Sequence, residues 1–167
     1  LIEPGMLIAG DAGTTTLALA EFLVGIPRLK VVTNSLGLAA ALHTTGGDLE
    51  VILLGGRLAP DVPGTFGEMT IAQIQRFQPQ LALLSPVGLT AARGAMDYDL
   101  SEAEVARTMA ENAARLVMLA DHSKLGASSR VQICGIDRID TLITDRKAAP
   151  KHIAELTAAG LRDVVRA

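Results

Sequence analysis

The chain has no tryptophan, one tyrosine and three phenylalanines, so aromatic residues make up only 2% of its 167 positions. Single-stranded nucleic acids bind proteins largely by stacking their bases on aromatic side chains, and this chain has too few for such a platform. It also lacks a basic excess, since 15 lysines and arginines stand against 18 acidic residues, for a net charge of −3. Affinity for DNA comes largely from basic side chains at phosphates, so this chain alone is not expected to bind DNA tightly.

Cysteine occurs once, as Cys134, which excludes a disulfide framework and a cysteine-based metal site. The histidines His43, His122 and His152 lie far apart and form no helical pair. We therefore predict no metal and no cofactor. No run of 18 or more apolar residues occurs, so the sequence predicts no membrane span.

What the chain does have is an ordinary globular composition, with 49% hydrophobic and 20% charged residues. Its length fits one domain that can bury a full core without disulfides or metal. We find no internal repeat and no interdomain linker. The sequence therefore predicts a single domain over residues 1–167.

Short apolar runs alternate with helical patterns along the chain, which favours a largely parallel sheet covered on both faces. The predicted strands are Met6–Ala9, Lys30–Thr33, Val51–Leu54, Leu81–Leu84, Leu116–Ala120 and Thr141–Thr144, with a possible last strand at Asp163–Val165. The predicted helices are Thr15–Val24, Ser35–Leu42, Met69–Phe77, Ser101–Ala114 and one that begins at Pro150. Ser101 and Glu104 have the spacing of a capping box at the start of the fourth helix.

Small polar residues follow the first predicted strand, in the run from Asp11 to Thr16. Gly13 permits a tight turn, and Thr14, Thr15 and Thr16 offer hydroxyls at the start of a helix. A helix N-terminus with such residues suits a phosphate or carboxylate. The alternative is that Thr14 is merely a helix N-cap.

The next two strands also end in small or polar residues. Asn34 and Ser35 follow the second strand, and Gly55, Gly56 and Arg57 follow the third. Ligands bind open parallel sheets at these carboxyl ends, near a topological switch point. Helix capping by Asn34 or Ser35, a plain turn at the glycines and a solvated Arg57 remain alternatives.

The fourth and fifth strands lead into two further candidate segments. The first is a predicted loop containing Gly94, Asp97 and Asp99, and the second places Asp121 and Lys124 after the fifth strand. Lys124 could supply a cation to a cleft at the sheet edge, although loop lysines are usually solvated.

Six blocks of this sequence, in order and at similar spacing, resemble the effector-binding domain of DeoR-family transcription regulators. They are Asp11–Thr16, Val32–Ser35, Leu54–Gly56, Gly94–Glu104, Ala120–Gly126 and Ile143–Asp145. The resemblance implies a three-layer α/β/α sandwich with a mostly parallel sheet of about six strands. It also implies that the fold is shared with ribose-phosphate isomerase, glucosamine-phosphate deaminase and CoA transferases.

The resemblance further implies a cytoplasmic sensor whose ligand is a phosphorylated sugar or a related metabolite. Operator DNA would be bound only by a winged helix-turn-helix domain that precedes the chain, and the protein would be a homo-oligomer. The chain does not begin with Met, and Leu1-Ile2 would fit the last turn of a helix, so we expect a fragment. The residues that the resemblance assigns to the ligand are Asp11, Gly13, Thr14, Thr15, Thr16, Asn34, Ser35, Gly55, Gly56, Asp97 and Lys124.

The sequence departs from the family pattern near the fourth strand. Gln80 stands where the family often has an acid, and Ser85-Pro86 where it has small residues. Because Pro86 has no N–H, this loop offers one hydrogen-bond donor fewer to an effector, and we expect a ligand that is unusual for the family.

Two other functions remain open from the sequence. One is a sugar-phosphate isomerase or deaminase, for which Asp11, Asp97, Asp99, Asp121 and Lys124 could supply acid and base groups. The other is an oligomerisation domain whose pocket has decayed. The six blocks favour the sensor, which has no catalytic residues.

Overall fold

A sheet of seven strands runs through the middle of the computed structural model, which describes residues 1–45 and 48–167. Its strands are β1 (Leu7–Gly10), β2 (Leu29–Thr33), β3 (Leu49–Leu53), β6 (Leu81–Leu84), β9 (Arg115–Leu119), β11 (Thr141–Thr144) and β12 (Asp163–Arg166). They lie in the order β12-β11-β9-β6-β1-β2-β3, and every neighbouring pair is parallel. The predicted largely parallel sheet is confirmed, and the possible last strand forms its seventh member.

The strand order reverses at β1, because the chain first adds β2 and then β3 on one side of β1. It then returns to place β6 on the other side of β1, with Ile8 beside Leu81. The loops that leave the carboxyl ends of β1 and β6 therefore diverge to opposite faces of the sheet. Such a switch point opens a crevice at the sheet edge.

Two apolar cores, one on each face, hold this sheet between layers of helices. Ile8 packs into one core and its neighbour Ala9 into the other, and Val31 and Val32 divide in the same way. Successive strand residues point to opposite faces, so these continuous apolar runs reflect burial on both sides. The three-layer α/β/α sandwich is confirmed.

The helices are α1 (Thr14–Ala18), α2 (Ala20–Leu23), α3 (Leu36–Thr44), α4 (Glu68–Ile74), α5 (Leu100–Asn112) and α6 (Pro150–Ala158). Leu23 and Leu42 pack into one core, whereas Ile74, Met109 and Leu156 pack into the other. The first predicted helix is divided in two at Leu19, which keeps helical backbone angles. None of the described helices is long and apolar enough to cross a bilayer.

The predicted capping box at the start of α5 is wrong. Asp99 is the N-cap, and its Oδ1 accepts hydrogen bonds from the backbone N–H groups of Ser101 (2.8 Å) and Glu102 (3.2 Å). An Asp caps a helix as well as a Ser does, so the N-cap lies two residues before the predicted one.

Five short strands outside the main sheet were not predicted. β7 (Gly88–Thr90), β8 (Gly94–Asp97) and β10 (Val131–Cys134) form an antiparallel sheet, and β4 (Arg57–Leu58) pairs with β5 (Thr65–Phe66) in a hairpin. The prediction of a loop through Gly94 and Asp97 is therefore wrong. Both small sheets lie close to the carboxyl edge of the main sheet, where they help to enclose the site.

Candidate functional site

A cavity of about 380 Å³ lies at the switch point, beyond the carboxyl ends of β1 and β6. Six of the eleven predicted ligand residues line it, namely Asp11, Gly13, Thr14, Asn34, Asp97 and Lys124. They lie in the loops after β1, β2 and β9, at the first residue of α1 and at the last residue of β8, which the fold brings to one edge. The volume is within the range of small-molecule sites, about 300–1,000 Å³.

Asp11 ties the two sides of the switch point together. Its Oδ2 accepts a hydrogen bond from the backbone N–H of Ser85 (2.8 Å), and its Oδ1 accepts one from the hydroxyl of Thr16. Burial raises the pKa of Asp11 to about 6, although these two hydrogen bonds oppose the rise. Asp11 is therefore both a wall of the cavity and a brace for the loop that carries Ser85.

The turn between Asp11 and α1 depends on a residue without a side chain. A Cβ at Gly13 would lie 2.9 Å from Thr16 Oγ1 and 3.2 Å from Ser85 Cβ, so a larger residue would fit this turn only if its neighbours shifted. Gly13, not Thr14, is the N-cap of α1, and no side chain caps the first turn. The first turn of α1 therefore has N–H groups without a side-chain cap, and Gly13 and the exposed Thr14 line the cavity.

Lys124 provides the positive charge of the cavity. Its Nζ donates a hydrogen bond to Ser85 Oγ (2.7 Å), and the side chain is partly buried. In the described part of the chain, Lys124 takes part in no ion pair within 4.0 Å. The ammonium group is thus held in place by a neutral partner and keeps its charge available.

Three carboxyl groups line the same cavity, those of Asp11, Asp97 and Glu102. Burial raises the pKa of Asp97, whose Oδ1 accepts a hydrogen bond from the N–H of Tyr98 (2.6 Å). Burial and the neighbouring carboxylates, Asp97 first, raise the pKa of Glu102 to about 7. The acids repel one another, and near neutral pH part of the cluster is protonated.

Asn34 connects the cavity to the β4–β5 hairpin. Its side-chain Nδ2 donates to the backbone carbonyl oxygen of Thr65 (3.0 Å). Its backbone carbonyl oxygen accepts from the N–H of Thr65 (2.9 Å). Gly64 allows the hairpin to sit this close, because a Cβ there would lie 2.6 Å from Ala12 Cβ. Phe66, at the end of the hairpin, is buried and lines the cavity.

The other five predicted ligand residues do not line this cavity. Thr15 lies on α1, and Thr16 is buried beneath the loop with its hydroxyl on Asp11. Ser35 caps α3 by accepting from the N–H of Leu38 (3.1 Å), as its alternative interpretation predicted. Gly55 hydrogen-bonds to the side chain of Gln73 on α4 through its N–H (3.0 Å).

Gly56 has a packing role as well, since a Cβ there would lie 2.1 Å from Thr70 Oγ1. Arg57 lines a neighbouring cavity of about 330 Å³, which shares Phe66 and Glu102 with the first. The polar ends of β1, β2 and β9 thus meet in one site, whereas the end of β3 packs against α4.

The sequence did not indicate Glu102 as a site residue, and it indicated Ser85 only as a departure from the family pattern. Glu102 lies in the first turn of α5, a position where an acid is normally explained by the helix dipole. Ser85 stands at the family departure, yet it contacts both Asp11 and Lys124. Gln80, the other departure, accepts a hydrogen bond from the N–H of Leu7 (2.7 Å) and so joins the loop before β6 to the start of β1.

A second polar group forms beyond β9 and β11, from Asp121, His122 and Asp145. His122 contacts Asp145 Oδ2 through Nδ1 (2.8 Å) and through its backbone N–H (3.0 Å). These hydrogen bonds lower the pKa of Asp145 to about 2. Asp121 and His122 are exposed, and Asp145 is partly exposed. The sequence does not reveal this group, because Asp145 follows β11 whereas the other two residues follow β9.

The DeoR C terminal sensor domain matches residues 1–146. The chain belongs to this family. Among curated proteins, it is 34% identical over 161 residues to the HTH-type transcriptional regulator GolR of Listeria innocua, covering 96% of this chain and 63% of that protein. It is 31% identical over 144 residues to the glycerol-3-phosphate regulon repressor of Escherichia coli, covering 86% of this chain and 57% of that protein.

It is also 36% identical over 146 residues to the HTH-type transcriptional repressor GlcR of Bacillus subtilis, covering 87% of this chain and 55% of that protein. The chain thus spans 55–63% of the length of these three relatives. Their names describe regulators and repressors, so the expectation of a regulatory rather than catalytic family is confirmed.

Two solved structures share the fold of this DeoR sensor domain at low sequence identity. Ribose 5-phosphate isomerase from Plasmodium falciparum gives a TM-score of 0.50 at 10% identity, covering 74% of this chain and 46% of that one. The eIF2B beta subunit from Chaetomium thermophilum gives 0.52 at 14% identity, covering 84% and 44%. At such identities the likeness concerns the fold alone, and it agrees with the isomerase-like architecture implied by the resemblance.

Proposed function

We propose that this domain binds a phosphorylated sugar or a related metabolite in the cavity at the switch point. Its occupancy would control operator binding by a winged helix-turn-helix domain that lies outside this chain. In this proposal the whole protein is a cytoplasmic homo-oligomer, because operators are commonly palindromic and are bound by symmetric proteins.

The observation that carries the proposal is the placement of Lys124. Its ammonium group is in the cavity, bonded to Ser85 Oγ (2.7 Å), and its charge is not taken up by an ion pair among the described residues. The uncapped first turn of α1 adjoins the same cavity through Gly13 and Thr14. An ammonium group, N–H groups and a hydroxyl together suit a phosphate dianion.

The relatives support a sensor of this kind. The name of one relative, the glycerol-3-phosphate regulon repressor, connects that protein with a phosphorylated polyol. Since the chain spans only part of these relatives, the DNA-binding half of the proposal concerns residues outside it. An upstream reading frame of about 60–80 residues with helix-turn-helix patterning would support it.

The test of the ligand is isothermal titration of this domain with glycerol 3-phosphate, ribose 5-phosphate, glucose 6-phosphate and fructose 6-phosphate. Free sugars and inorganic phosphate serve as controls. We expect at least one sugar phosphate to bind at least tenfold more tightly than its free sugar. Lys124→Met should abolish that difference, whereas Lys147→Met, at an exposed lysine, should preserve it.

Two results would contradict the proposal. One is the absence of binding by every sugar phosphate from three to six carbons. The other is an affinity unchanged by Lys124→Met. For the whole protein, linkage requires that a ligand which weakens operator binding be weakened by the operator to the same degree.

A further inference from the structure

One residue that lines the cavity, Asn34, has a buried side-chain acceptor without a hydrogen-bond partner. Asn34 is 1% exposed, and its Oδ1 is one of two buried side-chain polar atoms without a partner among the described residues. The other, Thr144 Oγ1, belongs to β11. The Nδ2 of Asn34 is bonded to the carbonyl oxygen of Thr65 (3.0 Å), which fixes the amide so that its oxygen remains unsatisfied.

A buried acceptor without a partner is destabilising by about 1–3 kcal/mol, so such atoms are uncommon in folded proteins. Asn34 lines the cavity, and a ligand that presents a donor would satisfy it. Its immobility matters here, because the hairpin residue Thr65 is itself anchored through its hydroxyl to the carbonyl oxygen of Leu54 (2.7 Å). The acceptor therefore cannot turn away to find another partner.

Three other side chains that line the cavity are also hydrogen-bond acceptors. Asp11, Asp97 and Glu102 line the cavity, and an ionised carboxylate can only accept hydrogen bonds. We call Asn34, Asp97 and Glu102 the acceptor wall; Asp11 is left out because both its oxygens already accept hydrogen bonds, from Ser85 and Thr16. Against three carboxyl groups the cavity contains one lysine, Lys124.

We propose that the acceptor wall binds the hydroxyl-bearing end of the effector and excludes a second anionic group there. The effector is then a sugar or polyol phosphate whose only anionic group is its phosphate, rather than a sugar-acid phosphate. This inference rests on the proposed function, with the phosphate at Lys124 and Thr14.

The physical reason is a mismatch of both bonding and charge. A hydroxyl donates to Asn34 Oδ1 or to a carboxylate, whereas a ligand carboxylate has no proton to donate. It would leave Asn34 unsatisfied and add a negative charge to carboxyl groups that already repel one another. That repulsion is visible in the raised pKa of Glu102, to which Asp97, Asp99, Asp11 and Asp61 contribute after burial. A site built to accept from hydroxyls discriminates strongly against ligands that lack them.

The experiment compares matched pairs of ligands by isothermal titration at pH 7.5. Glycerol 3-phosphate is paired with 3-phosphoglycerate, and the open-chain glucitol 6-phosphate with 6-phosphogluconate. Within each pair the phosphate and the carbon chain are the same, and a carboxylate replaces the terminal alcohol carbon. For the pair of preferred length, we expect the acid to bind at least tenfold more weakly.

Two variants test whether the acceptor wall causes that difference. Glu102→Gln removes one negative charge and should reduce the affinity ratio between the uncharged-end ligand and its acid partner at least threefold. Glu104→Gln, on the exposed side of the same helix, should leave that ratio unchanged. Asn34→Ala should weaken the uncharged-end ligand more than the acid. If Asn34→Ala does not fold, the Glu102 variant and the wild-type pairs still decide the matter.

The outcomes separate this inference from the function on which it rests. If sugar phosphates bind and the acid partner binds equally or more tightly, the inference is overturned and the proposed function stands. A wild-type gap that Glu102→Gln leaves unchanged also overturns it. If no phosphate of either kind binds at any chain length, both are overturned.

Discussion

Replacing Glu102 by Gln should stabilise the ligand-free domain, and only above about pH 5. The ordinary pKa of a glutamate is 4.5, and in the folded protein that of Glu102 is raised to about 7 by burial and by the nearby carboxylates. Between these values the folded state holds a proton that the unfolded state has released. Rising pH therefore lowers the free energy of unfolding over this interval.

The size of the effect follows from the same pKa. A rise from 4.5 to about 7 sets an upper bound of about 3 kcal/mol, since each pH unit corresponds to about 1.4 kcal/mol. Glu102 is partly exposed at the cavity, and solvent screens its interactions. We therefore expect Glu102→Gln to raise the free energy of unfolding by about 1–2 kcal/mol at pH 8. Below pH 4.5 the change should be close to zero, because glutamate is then protonated in both states.

The assay is urea unfolding followed by far-ultraviolet circular dichroism between pH 4.5 and pH 8. Circular dichroism is preferable to fluorescence because the chain contains no tryptophan and one tyrosine. Glu104→Gln is the matched control, since Glu104 is exposed on the same helix. A Glu102→Gln variant that is no more stable than the wild type at pH 8 would refute the reasoning. So would an equal stabilisation at pH 4.5 and at pH 8.

Two further predictions concern the frame of the site and use the same unfolding assay. Asp99→Ala should lower the free energy of unfolding by about 1 kcal/mol through loss of the α5 cap, whereas Ser101→Ala should change it by less than about 0.5 kcal/mol. Equal effects of the two would contradict Asp99 as the cap. Gly94→Ala should lower it by more than about 2 kcal/mol, because φ is +70° and the new Cβ would lie 2.0 Å from the carbonyl oxygen of Cys134. Gly25→Ala is its control, with open space around the new Cβ, and a comparable loss there would argue against the steric explanation.

The main sheet could be predicted from sequence because its strands are buried on both faces. A doubly buried strand is a continuous apolar run, and such runs stand out between polar loops. The small sheet of β7, β8 and β10 could not be predicted in this way. Its strands are only three or four residues long, and β8 pairs both with the neighbouring β7 and, through Asp97 and Val131, with β10 far along the chain. Pairing at that distance leaves no periodic signal in either segment.

The candidate site was predictable where polar residues end central strands, as at Asp11 and Asn34. Gly55 and Gly56 also follow a strand and were predicted to bind the ligand, but they instead allow α4 to pack closely against the end of β3. A glycine pair allows a ligand or a helix to come near, and the sequence does not distinguish the two. Glu102 gave no signal at all, because the packing of α5 brings it to the cavity. Residues at strand ends can thus be inferred locally, while residues contributed by a packed helix depend on tertiary structure.

The position of β1 between β2 and β6 has a consequence for the order of folding. Leu7 pairs with Lys30 and Leu29 with Leu49, so the first three strands can assemble through short loop closures. Ile8 meets Leu81 only after a far longer segment has closed, which costs more chain entropy and slows folding. We therefore expect the pairing of β1 with β6 to follow the growth of two separate nuclei, one on either side. The cavity of this domain then forms along the seam where those two parts of the chain finally join.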